Sequence, residues 1–215
     1  MMKIIPFIYD DIDDLYANTY LLIDDHHNCV IIDPSSLNDG LINYISREQL
    51  TLKGILLTHA HLDHIRGVKK LYNQYHSPIY IHYLDKEALD DPLKNASVMF
   101  GQSFKLGLEV NELNDKDVLH LLDEDIEVLW TPYHTEGSCC YLLRQSKIIF
   151  TGDSLFKGSI GRDDFINSLP KYKKSSLERL MKLDDDIKIQ PGHGKSSKIG
   201  EERITNYFVK SICLI

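Results

Sequence analysis

The sequence predicts a layered α/β sandwich, and three observations carry that prediction. Short apolar runs rich in β-branched residues alternate with amphipathic stretches of helical period along the chain. The polar motifs fall just after predicted strands, where loops converge on one edge of a sheet. No repeat, low-complexity tract or Pro/Gly/Ser-rich linker divides the 215 residues, so residues 1–215 read as a single domain.

Taken in order, residues 4–9, 19–23 and 29–32 read as strands from their length and β-branched content. Residues 41–49 read as a helix with Leu41, Ile42 and Ile45 roughly on one face. Residues 54–58 (GILLT) form a short apolar run of the kind buried on both faces of a sheet. Residues 62–75 read as a helix, with Ile65, Val68, Leu71 and Tyr72 spaced three and four apart. A strand over 79–82 closes the first half. Residues 90–113 stay undecided, loop-like around Pro92, Gly101 and Gly107. The second half reads as strands over 118–122, 126–130, 140–143 and 148–150, a helix over 175–183, a strand over 187–190 and a closing helix over 201–211.

Composition narrows the function classes. A hydrophobic fraction of 43% and a charged fraction of 26% supply a full core and argue against disorder. The net charge of −8 argues against nucleic acid or an anionic membrane as the main partner. The first apolar run is short and broken by Pro6, then turns acidic at Asp10, Asp11, Asp13 and Asp14, unlike a secretion signal. No segment approaches the ~20 apolar residues of a membrane span. Cys29, Cys139, Cys140 and Cys213 show no C-x-x-C spacing, and the adjacent pair bonds only with strain. They read as reduced thiols in a cytoplasmic protein.

The chemistry is concentrated in four loops. His59-Ala60-His61-Leu62-Asp63-His64 follows the strand over 54–58 and opens the next helix. His134 ends the Thr131-Pro132-Tyr133-His134 loop, Asp153 ends Thr151-Gly152-Asp153, and His193 lies in Pro191-Gly192-His193-Gly194. All seven candidates are imidazoles or carboxylates, a donor set that suits zinc or iron; the lack of cysteine among them argues against a closed structural zinc site. His59 and His61, two apart, can point the same way from an extended loop. Asp63 and His64, in the first helical turn, are displaced enough to serve a second ion. A carboxylate such as Asp153 can bridge two ions ~3.5–4 Å apart. His26, His27, His76, His82 and His120 read as ordinary surface or hydrogen-bonded residues.

On these residues the chain resembles the metallo-β-lactamase superfamily, whose HxHxDH signature is matched by His59, His61, Asp63 and His64. The later motifs match at His134, Asp153 and His193 in the family's order. Within the superfamily it looks most like the small glyoxalase II-like (hydroxyacylglutathione hydrolase-like) hydrolases, through Asn18-Thr19-Tyr20-Leu21, Ile32-Asp33-Pro34, Leu155-Phe156-Lys157-Gly158-Ser159-Ile160-Gly161-Arg162, Ile199-Gly200-Glu201-Glu202 and Thr205-Asn206. The resemblance implies the four-layered αβ/βα sandwich, two mixed sheets flanked by helices. It implies two divalent metal ions, zinc first, iron or manganese as alternatives. His59, His61 and His134 would hold one, Asp63, His64 and His193 the other, with Asp153 bridging. Tyr133, Asp163 and Ser35 depart from the family's usual residues, and Tyr133 is expected to narrow the pocket mouth. No C-terminal helical domain for gripping glutathione is expected.

The expected reaction is hydrolysis of a small-molecule thioester of the hydroxyacylglutathione type by a hydroxide bridging the two ions. Asp63 is the catalytic carboxylate, first a ligand and then a proton acceptor. Arg162 and Lys157 are candidates to hold a substrate carboxylate, and Tyr133 to donate to a carbonyl. Asp33 is expected to orient a ligand histidine. A mononuclear iron persulfide dioxygenase and a lactonase or other ester hydrolase stay open as alternatives, and so does the oligomeric state.

Overall fold

Period-two alternation of apolar side chains shapes the architecture, because strands of both sheets bury residues on two faces. The structure is a computed structural model and describes residues 2–8, 16–36 and 39–213. One sheet holds β1 (Lys3–Phe7), β2 (Thr19–Ile23), β3 (Asn28–Ile32), β4 (Thr51–Leu56), β5 (Ile79–His82) and β6 (Asn111–Leu113), in that spatial order. β1, β2 and β3 pair antiparallel, and β3 to β6 run parallel. The other sheet runs in space from β7 (Val118–Leu119) through β8 (Ile126–Trp130), β9 (Cys139–Leu143), β10 (Ile148–Gly152) and β11 (Lys188–Pro191) to β12 (Ser197–Lys198). β10 and β11 pair parallel and the other neighbours antiparallel. The helices are α1 (Asp39–Arg47), α2 (Leu62–Ile65), α3 (Val68–Tyr75), α4 (Lys173–Leu180), α5 (Ile199–Thr205) and α6 (Tyr207–Cys213).

Three apolar layers follow from the alternation. Leu21, Ile31 and Ile55 face outward onto Leu41 and Ile45 of α1 and Val68 and Leu71 of α3. The intervening residues Tyr20, Leu22, Val30 and Ile32 face the other way, against Val128, Tyr141 and Phe150 of the second sheet. That sheet's far face, with Cys140, Leu142 and Ile189, covers Leu177 and Leu180 of α4, Ile199 of α5 and Val209 of α6. Each fully buried Leu, Ile or Val contributes about 1.5–3 kcal/mol relative to exposure. The result is the expected fold, two mixed sheets face to face with helices outside. Cys139 and Cys140 fall on opposite faces of β9, and all four cysteines are free. No helix among the described residues is long and apolar enough to cross a membrane.

Several elements differ from the sequence expectation. The helix expected over 62–75 is two, α2 and α3, parted where Gly67 docks on the turn after β3. The Gly67 N–H donates to the Pro34 carbonyl at 2.7 Å, and a Cβ at this residue would meet the carbonyl oxygens of Pro34 and Ser36 at 2.7 and 2.6 Å. The closing helix expected over 201–211 is α5 and α6, separated by extended backbone at Asn206 (ψ 113°). Asn206 Oδ1 accepts the N–H groups of Phe208 and Val209 at 3.0 and 3.2 Å, capping α6. The 54–58 strand runs Thr51–Leu56, and the 118–122 strand shrinks to two residues. The undecided stretch contains a 3-10 turn at Ser97–Phe100 and ends in β6. α1 starts at Asp39 and ends before Gln49, whose φ of 52° is left-handed, and α4 spans Lys173–Leu180. Tyr9, Asp10, Asp11, Asp13 and Asp14 lie outside the described residues.

The Gly67 contact fixes α2 against the turn that follows β3. Gly67→Ala forces two carbonyls aside and is expected to cost about 1–3 kcal/mol, read as a lower urea midpoint at unchanged slope.

Candidate metal centre

The loops that leave β4, β8, β10 and β11 meet at one edge of the sandwich and bring the seven predicted side chains together. His59, His61 and His134 offer one ligand atom each within 4.8 Å of one another, and so do His59, His64 and Asp153, and Asp63, His64 and His193. Nδ1 of His61 and Nε2 of His134 stand 2.9 Å apart. Asp153 faces both sides: Oδ2 lies 3.4 Å from His134 Nε2, and Oδ1 lies 3.3 Å from His64 Nε2 and 3.7 Å from His193 Nε2. Asp63 Oδ2 lies 3.1 Å from His193 Nε2.

The cluster leaves polar atoms unspent. Nε2 of His59, His61 and His64 and Oδ1 of Asp153 are buried without a hydrogen-bond partner. Orphaned buried nitrogens and a carboxylate oxygen are costly unless something binds them. Facing one another over a few ångströms, with imidazole and carboxylate donors only, they fit divalent metal ions.

Ring orientation is imposed from outside the cluster. His64 donates from Nδ1 to Asp33 Oδ2 at 2.8 Å. Thr58 donates its hydroxyl to the same oxygen at 2.6 Å and its N–H to Asp33 Oδ1 at 2.8 Å. The Thr58 hydroxyl oxygen is then the acceptor for His59 Nδ1 at 3.1 Å, so Asp33 positions one ring directly and another through Thr58. His134 donates from Nδ1 to the Arg162 carbonyl at 2.7 Å. Gly152 is pressed onto this network: its φ is +47°, and a Cβ would meet Thr58 Oγ1 at 2.4 Å. The loop bearing His193 is held from the other sheet, where Asn18 Nδ2 and the Tyr20 hydroxyl donate to the Pro191 carbonyl at 3.0 and 2.8 Å.

Electrostatics sorts the histidines into two kinds. Burial, then neighbouring imidazoles, keeps His59 neutral to far below the ordinary imidazole range and takes His61 down to about 3; burial also lowers His134. Burial opposes charge on His64 as well, but Asp33, Asp63 and Asp153 outweigh it and raise its pKa well above the ordinary value. Asp153 and Asp63 likewise raise His193 against burial. In turn, those imidazoles hold Asp63 and Asp153 below the usual carboxylate range despite burial.

A buried residue absent from the sequence reading links the two loops that carry His59, His61 and His134. Asp85 accepts the Ala60 N–H and the Thr135 hydroxyl on Oδ2, at 3.0 and 2.7 Å, and the Gly137 N–H on Oδ1 at 2.8 Å. It lies in a 3-10 turn, Tyr83–Asp85, with no periodic or motif signal around it.

The candidate substrate residues fare differently. Tyr133 is fully buried and donates its hydroxyl to the Ser154 carbonyl, so it neither narrows the pocket mouth nor reaches a substrate carbonyl. Lys157 is exposed and does not line the cavity over the cluster. Arg162 does line that cavity, of about 350 Å³, but its fork is closed on Asp164 at 2.8 and 2.9 Å. Of the histidines read as ordinary, His82 is buried and stacks parallel to Trp130, with ring centroids 5.6 Å apart.

The profile of the Metallo-beta-lactamase superfamily matches residues 12–193. The chain belongs to the metallo-β-lactamase superfamily. Members of this superfamily bind divalent metals, and the superfamily with its relatives' names indicates a metal-dependent hydrolase. A relative named hydroxyacylglutathione hydrolase GloC, from Haemophilus influenzae, is 35% identical over 197 residues, spanning 90% of this chain and 93% of the relative. The solved BLEG-1 B3 metallo-β-lactamase superposes with a TM-score of 0.87 at 32% identity, covering 97% of this chain and 99% of its own. TTHA1623, solved in a di-iron-bound form, gives 0.84 at 32% identity, with 95% and 99% coverage.

Asp33→Asn keeps the shape but removes the charge facing His64, and a zinc affinity weakened about 10–100-fold is expected from competition with a chromogenic chelator. Asp85 supplies a pH signature. Burial pushes its carboxyl up to about 6, against the hydrogen bonds from Thr135, Gly137 and Ala60. The unfolded chain releases this proton near pH ~4, so the group's contribution to stability is complete below that pH and lost as the pH rises to about 6. In metal-free protein, unfolding free energy is expected to fall by about 2 kcal/mol more from pH ~4.5 to ~6.5 in the parent than in Asp85→Asn.

Proposed function

We propose that the chain hydrolyses thioesters of the hydroxyacylglutathione type with two divalent metal ions, zinc first and iron or manganese as alternatives. The observation that carries this reading is the convergence of buried, unpartnered imidazole nitrogens and a carboxylate oxygen at the floor of a cavity. His59, His61 and His134 would hold one ion, and Asp63, His64 and His193 the other, with Asp153 between them. When bound, the ions lower the pKa of water from about 15.7 to about 7 and supply positive charge where a carbonyl oxygen becomes negative.

The residues of the chain do the remaining work. Asp33, Thr58 and the Arg162 carbonyl hold the outward ring nitrogens, so the opposite nitrogens face inward as lone-pair donors. Asp63, whose Oδ2 lies 3.1 Å from His193 Nε2 at the cavity floor, can take the proton released when water adds to the carbonyl. The carbon–sulfur bond breaks, and the products are a carboxylic acid and a thiol. The GloC relative, by its name, supports the hydroxyacylglutathione class. The scaffold donors on both sheets keep the cluster in place without the substrate, so binding spends little on ordering it.

The test is elemental analysis of protein purified without added metal, followed by turnover of S-lactoylglutathione. About two equivalents of zinc, iron or manganese per chain are expected, with turnover lost on chelation and abolished in His59→Ala at unchanged circular dichroism. About one equivalent of iron, with oxygen uptake in the presence of glutathione persulfide, would replace the hydrolase by a dioxygenase.

A further inference from the structure

The cavity over the cluster is chemically one-sided. Its floor is the polar cluster, and its walls include Met99, Phe100, Phe156, Ile160 and Phe165. The Phe165 ring lies 4.4 Å from His61 and 5.3 Å from His134, and Phe156 lies 5.9 Å from His193, centroid to centroid. On the facing wall Met99 is 57% exposed, a large apolar side chain left beside the site and uncovered by the protein's own core.

The turn that displays Met99 and Phe100 is built and anchored. Ala96 takes a left-handed φ of 60°, which a non-glycine residue adopts only when its surroundings fix it. The fully buried Asn95 accepts the Ser97 N–H and donates to the Phe104 carbonyl, both at 3.0 Å. Ser97 Oγ accepts the Phe104 N–H at 3.1 Å. The Asn95 carbonyl accepts the Leu62 N–H at 2.9 Å, tying the turn to the helix that carries Asp63. The apolar pair is thus held in register with the cluster.

We infer that this wall binds an apolar acyl group and that Met99 and Phe100 determine the preference for it. The inference rests on the thioester hydrolase reading. Among the described residues, the one guanidinium or ammonium lining the cavity is Arg162, already paired with Asp164 and stacked 4.9 Å over Phe165. A peptide-like thiol carrier such as glutathione bears two carboxylates and an ammonium, whose burial against Met, Phe and Ile is costly. Those charges stay in water at the mouth, and the acyl group enters. A volume of about 350 Å³ lies within the range of ligand pockets, roughly 300–1,000 Å³, and gives ample room for an acyl chain.

The test compares acetyl, butanoyl and hexanoyl thioesters of glutathione with the metal-replete protein. Each methylene buried raises kcat/KM about fourfold, so butanoyl is expected to exceed acetyl by about tenfold or more. In Met99→Ala/Phe100→Ala the hexanoyl-to-acetyl ratio is expected to collapse to within about threefold, and Phe100→Leu alone is expected to retain most of it. A flat series in the parent, or an unchanged ratio in the double variant, overturns the inference. Calorimetric binding of acetate and hexanoate to the same proteins separates it from the hydrolase reading. Hexanoate preferred by the parent and not by the double variant, without turnover of any thioester, upholds the apolar wall and removes the hydrolase. Turnover with no chain-length preference does the reverse.

Discussion

The centre depends on one buried carboxylate. Asp33 stands just after β3 in a left-handed conformation (φ 49°) and is 2% exposed, with His64 as its ion-pair partner among the described residues. A charge in that position is tolerable only if donors surround it, and the donors come from the loop after β4 and from α2. Three chain segments are therefore obliged to meet at one point. The orientation of His59 and His64, the closeness of Gly152 to Thr58 and the docking of Gly67 on Pro34 all follow from that meeting.

The second requirement is that the two sheets present their loops at one edge. Backbone and side-chain bonds cross the seam to secure it: Cys139 N–H to the Thr58 carbonyl at 2.9 Å, and the Tyr141 hydroxyl to the Leu57 carbonyl at 2.7 Å. Asp85 adds the hold between the loop of His59 and His61 and the loop of His134, while Asn18 and Tyr20 reach the loop of His193. Four of the seven clustered side chains come from the first half of the sequence and three from the second, so the site exists only in the packed sandwich. Ligand-bearing loops on strand ends vary freely at their tips while the strands keep their spacing, which is why one fold serves different chemistries.

Much of this was legible in the sequence, for identifiable reasons. Six-residue spacing in His59–His64 and strand-ending positions for His134, Asp153 and His193 are local signals, and β-branched runs separate cleanly from helical stretches. What failed depended on distant partners. The break at Gly67 is set by Pro34 and Ser36, and the break at Asn206 by a side chain turning back to cap the next helix, neither visible in periodicity. Tyr133 looked like a pocket residue by its place before His134, but its hydroxyl is claimed by Ser154. Asp85 carried no signal, because its partners Ala60, Thr135 and Gly137 are about 25 to 52 residues away. The wall formed by Met99 and Phe100 lay in the stretch without period or motif.

The bond from Asn18 to Pro191 spans 173 residues and has a consequence for biogenesis. Pairing across such separations is slow, since the loop must close before contacts reward it. During synthesis, the HxHxDH loop and its Asp33 anchor leave the ribosome long before His193 exists. His134 and Asp153 follow in turn, so six of the seven side chains are made before the one that closes the set. The centre is thus completed late, when β11 pairs with β10 and brings the loop of His193 to the edge where the other loops meet.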